Sequence, residues 1–158
     1  MAKSNNTLCL DKFYPERDLM ITDIAQQSDK IIIRMKSTSS SCKCPKCNRI
    51  TQKYHGTYTR KVQDLPILGK NVQLEICSHE YACLNDECEA VSIAETFDGF
   101  LNNYSRMTER CADFICTLAL ETSCEGCARV CRTLGIKTSG DTVIRLLLKR
   151  CSVTVSVR

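Results

Sequence analysis

The sequence lacks a long hydrophobic run. No stretch approaches the roughly 18 apolar residues that a membrane-spanning helix needs, so we expect no membrane association. Residues 1–11 contain no apolar core segment, and we therefore expect no signal peptide and a cytoplasmic location. Thiols stay reduced in the cytoplasm, so the 13 cysteines, an odd number, are not expected to form a disulfide framework. Because no activated nucleophile lies beside a base, we predict that the chain is not an enzyme.

Acidic residues are scarce in two segments of the chain. Residues 30–73 contain 10 basic side chains and 1 acidic side chain, and residues 129–158 contain 7 and 1. The segment between them, residues 74–128, contains 2 basic and 11 acidic side chains, so the net charge is only +4. Dense basic segments favour contact with a polyanion such as nucleic acid, although lysines scattered on a solvated surface give a similar composition.

Two closely spaced cysteine pairs dominate the first half of the sequence. Cys44 and Cys47 are separated by two residues, and Cys83 and Cys88 by four. These spacings are typical of knuckles, the tight turns that present two thiolates to one metal ion. Four thiolates complete the tetrahedral coordination of Zn²⁺ and leave no open position. We therefore predict one structural zinc ion per chain.

Other cysteines and a histidine allow alternative assignments. Cys42 and His55 lie near the first knuckle in sequence, and either could replace one of the four ligands. Cys124, Cys127 and Cys131 could form a second metal site, but their spacing places them on one face of a helix. Cysteine on such a face acts as a small hydrophobic residue, so we predict core packing for these three.

Apolar periodicity predicts strands first and helices afterwards. The predicted strands form an N-terminal hairpin and a second pair that carries the knuckles: residues 18–24, 30–36, 57–62 and 72–76. Residues 64–66 are expected to end the third strand. Three helices are predicted, beginning at Ser105 or Thr108, at Ser123 and after Ser139, and ending near residues 121, 134 and 150. Gly135 is the residue expected in a left-handed conformation just past a helix end.

The pattern as a whole predicts an α+β protein with a small zinc-ribbon-like β domain, an N-terminal β-hairpin and a three-helix unit. Five segments are expected: a hairpin segment (1–41), a zinc-finger domain (42–96), a linker (97–104), a helix-turn-helix domain (105–151) and a tail (152–158). A three-helix bundle used only for protein contacts is the alternative interpretation of the fourth segment.

Candidate nucleic-acid contacts fall into two groups. In a helix-turn-helix the last helix and the turn before it would face DNA, which gives Thr138, Ser139, Asp141, Thr142, Arg145 and Lys149. Arg145 could donate two hydrogen bonds to guanine or bind a phosphate. The dense basic segment around the first knuckle gives the predicted phosphate contacts: Lys43, Lys46, Arg49, Lys53, Arg60 and Lys61.

Several runs of sequence together resemble one family. They are CPKCN at residues 44–48, YHGTYTR at 54–60, DLPILGKNV at 64–72 and YACLNDEC at 81–88. Their order and spacing resemble the N-terminal zinc finger of bacterial insertion-sequence transposases of the ISL-three family. The run LGIKTSGDTVIR at 134–145 is similar to the helix-turn-helix that follows the finger in those proteins.

The resemblance implies a role in DNA transposition, in which the finger and the helix-turn-helix recognise the terminal inverted repeats of the element. The family also has an RNase H-like catalytic domain with three carboxylates, and this sequence shows no such arrangement. We therefore expect a truncated or frameshifted transposase product, or the first piece of a split transposase, that binds double-stranded DNA without cutting it. It would act alone, as a homo-oligomer or with a full-length transposase. The alternative is a zinc-stabilised interaction or regulatory module that pairs with a full-length transposase.

Overall fold

The computed structural model describes residues 18–155, with strands in the first part and helices in the second. The strands are β1 (Leu19–Gln26), β2 (Lys30–Ser37), β3 (Cys42–Lys43), β4 (Ile50–Thr51), β5 (Tyr54–Ile67), β6 (Lys70–Ala82) and β7 (Ser92–Ala94). The helices are α1 (Glu109–Leu120), α2 (Cys124–Leu134) and α3 (Gly140–Val155). The predicted α+β class is confirmed. Within residues 18–155, none of the helices combines the length and hydrophobicity needed to cross a membrane.

The predicted N-terminal hairpin is confirmed, and it belongs to a larger sheet. β1 and β2 pair antiparallel. β2 also pairs in parallel with β6, where Ile33 lies opposite Leu74 and Met35 lies opposite Ile76. The strand order is β1-β2-β6-β5, and β7 adds to the end of β6. The hairpin and the strands that lead to the cysteine knuckles therefore form one sheet.

One face of this sheet is covered by the segment after β7. Val72, Leu74 and Ile76 are buried at alternate positions of β6, as expected for a strand with one covered face. The core that contains them also includes three residues of the segment predicted as a linker: Phe97, Phe100 and Leu101. The linker prediction rested on the turn residues of 97–104, which are exposed, whereas the apolar residues between them pack against the sheet.

β5 is longer than predicted. We expected residues 64–66 to end this strand, and this is wrong because β5 continues to Ile67. The pairing of β5 with β6 shifts register in this region, which accommodates Pro66 without a ladder hydrogen bond. Leu68 and Gly69 then connect β5 to β6, and their φ values of 51° and 75° suit a two-residue hairpin turn.

The three helices begin at predicted caps, and α1 and α2 end close to the predicted residues, whereas α3 continues past the predicted end near residue 150 to Val155. Thr108 and Ser123 accept hydrogen bonds from main-chain N–H groups in the first turns of α1 and α2. Ser139 Oγ accepts a similar bond at the start of α3. α2 ends at Gly135, which has a φ of 96°. A Cβ added at Gly135 would lie 2.9 Å from the main-chain oxygen of Gly69, so this turn packs directly on the β5–β6 hairpin.

The helices pack around a core of their own, in which cysteines serve as small apolar residues. Cys127 and Cys131 are fully buried together with Ile115 and Val143, and Cys124 is partly buried at the edge of the same core. The Cys127 thiol donates to the main-chain oxygen of Ile115 at 3.5 Å. The predicted core packing of these cysteines is therefore confirmed.

Hydrogen bonds to β5 join the helical unit to the sheet. The Gln63 N–H donates to the Arg106 carbonyl at 2.8 Å, and the Thr108 N–H donates to the Gln63 carbonyl at 2.9 Å. The Gln63 side chain also contacts the main chain of Lys137, in the turn before α3. These bonds hold α3 beside β5 and β6.

Candidate metal centre and nucleic-acid interface

The first knuckle is the tip of a small hairpin. β3 and β4 pair antiparallel on either side of it. The Cys44 N–H donates to the Arg49 carbonyl, and the Asn48 N–H donates to the Cys44 carbonyl, both at 2.9 Å. Asn48 has a φ of 59°, a left-handed conformation that asparagine tolerates. This tight turn brings Cys44 and Cys47 to the same side of the chain.

The second knuckle follows directly from the end of β6. The Cys88 N–H donates to the Asn85 carbonyl at 2.9 Å, which closes the turn that begins after Cys83. The two knuckles are held side by side because Thr51 Oγ1, in β4, donates to the Ala82 carbonyl at 2.7 Å.

The four predicted metal ligands lie together. The sulfur atoms of Cys44, Cys47, Cys83 and Cys88 are all within 4.8 Å of one another. Cys44 Sγ and Cys88 Sγ are 3.8 Å apart, and Cys47 Sγ and Cys83 Sγ are 3.7 Å apart. A tetrahedron with Zn–S bonds of about 2.3 Å has sulfur–sulfur edges of about 3.8 Å. The cluster therefore has the dimensions of a four-thiolate zinc centre.

The thiols of the cluster differ in acidity. A hydrogen bond from the Arg49 main chain lowers the pKa of Cys47 to about 6. At Cys83 the main chain of Asn85 acts to lower the pKa, but burial and the neighbouring cysteines, Cys47 first, outweigh it and raise the pKa to about 11. Several thiolates repel one another at this distance, and a divalent cation removes the repulsion. Metal binding is thus expected to release protons from the cluster.

The two alternative ligands lie outside the cluster. Cys42 Sγ is near the main-chain oxygens of Lys43 and Ala94, at 3.7 and 3.9 Å. Burial raises the pKa of Cys42, which disfavours its thiolate. His55 is exposed on β5. Among residues 18–150, the four cysteines of the knuckles are the group whose ligand atoms converge.

The predicted phosphate contacts do not form one surface. Four of them are exposed around the first knuckle: Lys43, Lys46, Arg49 and Lys53. Arg60 is instead engaged within the chain, since its guanidinium donates to the carbonyls of Asn102 and Ser105 at 3.0 and 2.9 Å. Lys61 lies on the opposite face of β5, because side chains alternate along a strand, and it lines a groove beside α3.

The predicted contacts in and before α3 are also divided. Three of them line the groove: Thr142, Arg145 and Lys149. Ser139 caps α3, and Asp141 is exposed in its first turn. Thr138 is partly buried, and its hydroxyl oxygen has no hydrogen-bond partner among the described residues.

The groove contains two basic residues that were not among the predicted contacts, Arg106 and Lys137. Arg106 lies in segment 74–128, where acidic residues predominate, so a count of charge by segment does not indicate it as a contact. Lys137 lies in the second basic segment and could have been included on that ground. Their convergence with Lys61 depends on the packing of the helical unit against the sheet.

Two knuckles that meet beside an antiparallel strand pair, with four thiolates and no open position, define a zinc ribbon that holds one structural zinc ion. Residues 40–88 match the family described as the zinc-finger of transposase IS204/IS1001/IS1096/IS1165. This stretch is therefore a zinc ribbon of the ISL-three transposase type, as the sequence resemblance predicted. Comparisons of the chain with curated proteins and with solved structures give no match. The ribbon indicates a transposase-related role in DNA binding.

Proposed function

We propose that this chain is the DNA-binding part of an insertion-sequence transposase and that it recognises the terminal inverted repeats of its element. The observation that carries the proposal is the agreement, within residues 40–88, between a transposase zinc-finger match and a four-cysteine centre of zinc dimensions. Because the ligand would be chromosomal DNA, the proposal includes a cytoplasmic location.

The zinc ion would contribute folding energy to the ribbon. Bound by four thiolates, it cross-links the β3–β4 hairpin to the end of β6, and its coordination shell is closed to water. The exposed basic residues around the first knuckle would then contact phosphates from a fixed position. The side chains concerned are Lys43, Lys46, Arg49 and Lys53.

The helical unit would supply base recognition as a helix-turn-helix. α2 ends at Gly135, Ile136 anchors the turn in the core, and α3 starts after Ser139. Arg145 is exposed and lies within 3.2 Å of Thr142 Oγ1 on the surface of α3. An arginine in this position can donate two hydrogen bonds to the major-groove edge of guanine.

The proposed role of these residues is binding and not cleavage of DNA. A zinc ion with four thiolate ligands has no position for a reactive water molecule. We propose that the chain brings transposon ends to a partner, which can be a second copy or a full-length transposase.

Selection from a pool of random duplexes tests the proposal. We expect the zinc-loaded chain to enrich a single motif and to bind it at least about 10³-fold more tightly than a scrambled duplex at physiological salt. Chelation should abolish the binding, because the ribbon loses its cross-link. Absence of salt-dependent binding to any duplex would contradict the proposal, and binding only to another transposase chain would favour the interaction-module alternative.

Substitutions of two arginines, one in α3 and one in α2, test whether α3 recognises bases. Arg145→Ala should relax the preference at one base position and cost about 1 to 3 kcal/mol. Arg129→Ala removes the same charge from the exposed surface of α2, and it should leave the preference intact. If Arg145→Ala weakened binding equally for all sequences, Arg145 would be a phosphate contact.

A further inference from the structure

A groove of 1030 Å³ separates the β5–β6 pair from α3. Among the described residues, five basic side chains line it: Lys61, Arg106, Lys137, Arg145 and Lys149. They come from β5, from the segment before α1, from the turn before α3 and from α3 itself. None of the described residues that line the groove is acidic. A cleft lined by one sign of charge concentrates the electrostatic potential and attracts ligands of the opposite sign.

The other polar side chains of the groove are uncharged, and several of them form hydrogen bonds within the chain. They are amides from the strands and hydroxyls from the helical part: Gln63, Asn71, Gln73, Ser105 and Thr142. Arginine, lysine, amide and hydroxyl donors are the groups that proteins use to contact phosphate oxygens and sugars of nucleic acids. The amides of Gln63, Asn71 and Gln73 already donate to groups of the chain. The basic side chains are therefore the part of this donor set that suits the phosphates of a nucleic-acid backbone.

Glu75 lies opposite Lys61 in the pairing of β5 with β6 and is already paired with other side chains. Glu75 accepts hydrogen bonds from Arg34 at 3.1 Å and from Gln73 at 3.0 Å. Farther away, Arg150 forms ion pairs with Glu109 and Asp113 of α1. None of these three carboxylates is among the residues that line the groove.

The walls of the groove are fixed relative to each other. Asn71 Nδ2 donates to the Gly135 carbonyl and to Gln63 Oε1, both at 3.0 Å. Gln63 Oε1 also accepts from the Lys137 N–H at 2.7 Å. The strands thus bind the main chain of the turn before α3, so the groove exists before a ligand enters.

We propose that this groove binds the sugar-phosphate backbone of double-stranded DNA, with Arg106 and Lys137 as phosphate contacts. The inference rests on the proposed DNA-binding function and deepens it. Lys61 lies on the β5 wall of the groove and Arg145 on the α3 wall. The sheet of the zinc ribbon and α3 therefore contact the same DNA molecule as one rigid unit.

A charge-removal pair tests the proposal in the full zinc-loaded chain. The groove variant combines Arg106→Gln with Lys137→Gln, and the control combines Lys36→Gln with Arg129→Gln, which removes two exposed charges elsewhere. Fluorescence anisotropy with a random-sequence duplex between about 50 and 200 mM salt gives the slope of log K against log salt. We expect the magnitude of that slope to be smaller by about 2 in the groove variant, since each phosphate contact contributes about 0.9 to it. We also expect the variant to bind all sequences about equally more weakly. The control should keep the wild-type slope.

A second measurement uses the chain without substitutions, so its outcome does not depend on whether a variant folds. Acetylation of Lys61 and Lys137 should slow when duplex is added, whereas acetylation of Lys36 should not change. Equal protection of all three lysines, or none, would overturn the proposal.

The outcomes separate this inference from the proposed function. If the wild-type chain binds duplex but the groove variant keeps its salt slope, the groove assignment is wrong and the proposed function stands. If the wild-type chain binds no duplex, both are wrong. If the groove variant loses binding to polyglutamate but not to DNA, the groove is a site for an acidic protein and the DNA assignment is wrong.

Discussion

Gln63 and Lys137, 74 residues apart in sequence, are joined by two hydrogen bonds. The Lys137 N–H donates to Gln63 Oε1 at 2.7 Å, and Gln63 Nε2 donates to the Lys137 carbonyl at 3.1 Å. The side-chain amide thus pairs with the main chain as a neighbouring strand would. It fixes the turn before α3 against β5.

Gln63→Ala should loosen this connection. The substitution removes the side-chain bonds to Lys137 and Asn71, each worth about 0.5 to 1.5 kcal/mol, and we expect the free energy of unfolding to fall by about 1 to 3 kcal/mol. Urea unfolding measures the loss, and hydrogen exchange should show faster exchange of the Lys137 amide. Gln52→Ala, at an exposed position before β5, is the control and should change neither quantity. If hydrogen exchange of the Lys137 amide were unchanged in the Gln63 variant, the Gln63–Lys137 pairing would be unimportant for holding the turn before α3 against β5.

One zinc ion per chain should depend on the knuckle cysteines. Cys47→Ser should reduce the bound zinc to well below one per chain and unfold the ribbon, because three thiolates and a hydroxyl bind Zn²⁺ poorly. Native mass spectrometry and circular dichroism check this outcome. Cys42→Ser should retain a full equivalent of zinc, since Cys42 lies outside the cluster. Loss of zinc in the Cys42 variant would mean that the ligand set includes that residue.

The ionisation of Asp64 should make the free energy of unfolding depend on pH in the acidic range. Burial acts to raise its pKa, but hydrogen bonds from Arg110 and Thr108, and the charge of Arg110, outweigh burial and hold the pKa below its usual value. A lowered pKa in the folded state means that the stabilisation is complete above the unfolded value of about 3.9. It is lost as the pH falls through the folded value.

Asp64→Asn removes this dependence. At neutral pH the variant should be about 2 kcal/mol less stable, because Arg110 loses its carboxylate partner. The difference from wild type should shrink below about pH 4. Comparing the two proteins at each pH cancels the loss of zinc that acid causes in both. Asp23→Asn, in an exposed ion pair, should cost under about 1 kcal/mol. A difference that stayed constant down to pH 2 would contradict the assignment.

Cys127→Ala should leave the zinc content at one ion per chain and lower the stability. The buried sulfur fills space in the helical core, and its loss should cost about 1 to 2 kcal/mol. Burial also raises the pKa of the neighbouring Cys131 to about 11, so its thiol should react slowly with iodoacetamide in the folded chain at neutral pH. A fall in zinc content in this variant would instead indicate a second metal site.

Local sequence signals predicted the cysteine knuckles of the zinc centre and the residues at which the helices begin. The spacing of Cys44 and Cys47 fixes a tight turn whatever surrounds it, and Thr108 caps α1 through a bond to a residue three positions later. The same local reasoning failed at residues 64–66. The turn-forming composition there predicted a strand end, but pairing with β6 extends the strand.

Charge counting also had a limit. It grouped Arg60 with Lys61, although adjacent strand residues face opposite sides of a sheet, and Arg60 is bound to two main-chain carbonyls of the segment before α1. It passed over Arg106 because acidic residues surround that position in sequence. Three-dimensional neighbours, not sequence neighbours, determine the electrostatic potential at each of these side chains.

By itself, the sequence determined the α+β class, the two cysteine knuckles of the zinc ribbon and the N-terminal caps of the helices, because each strand, helix, knuckle and cap depends on residues within a few positions of one another. Only the tertiary structure decided the parallel pairing of β2 with β6, the bond between Gln63 and Lys137, and the basic groove. These features join segments distant in sequence. Their geometry follows from how the apolar faces of the sheet and helices pack, which no local pattern specifies.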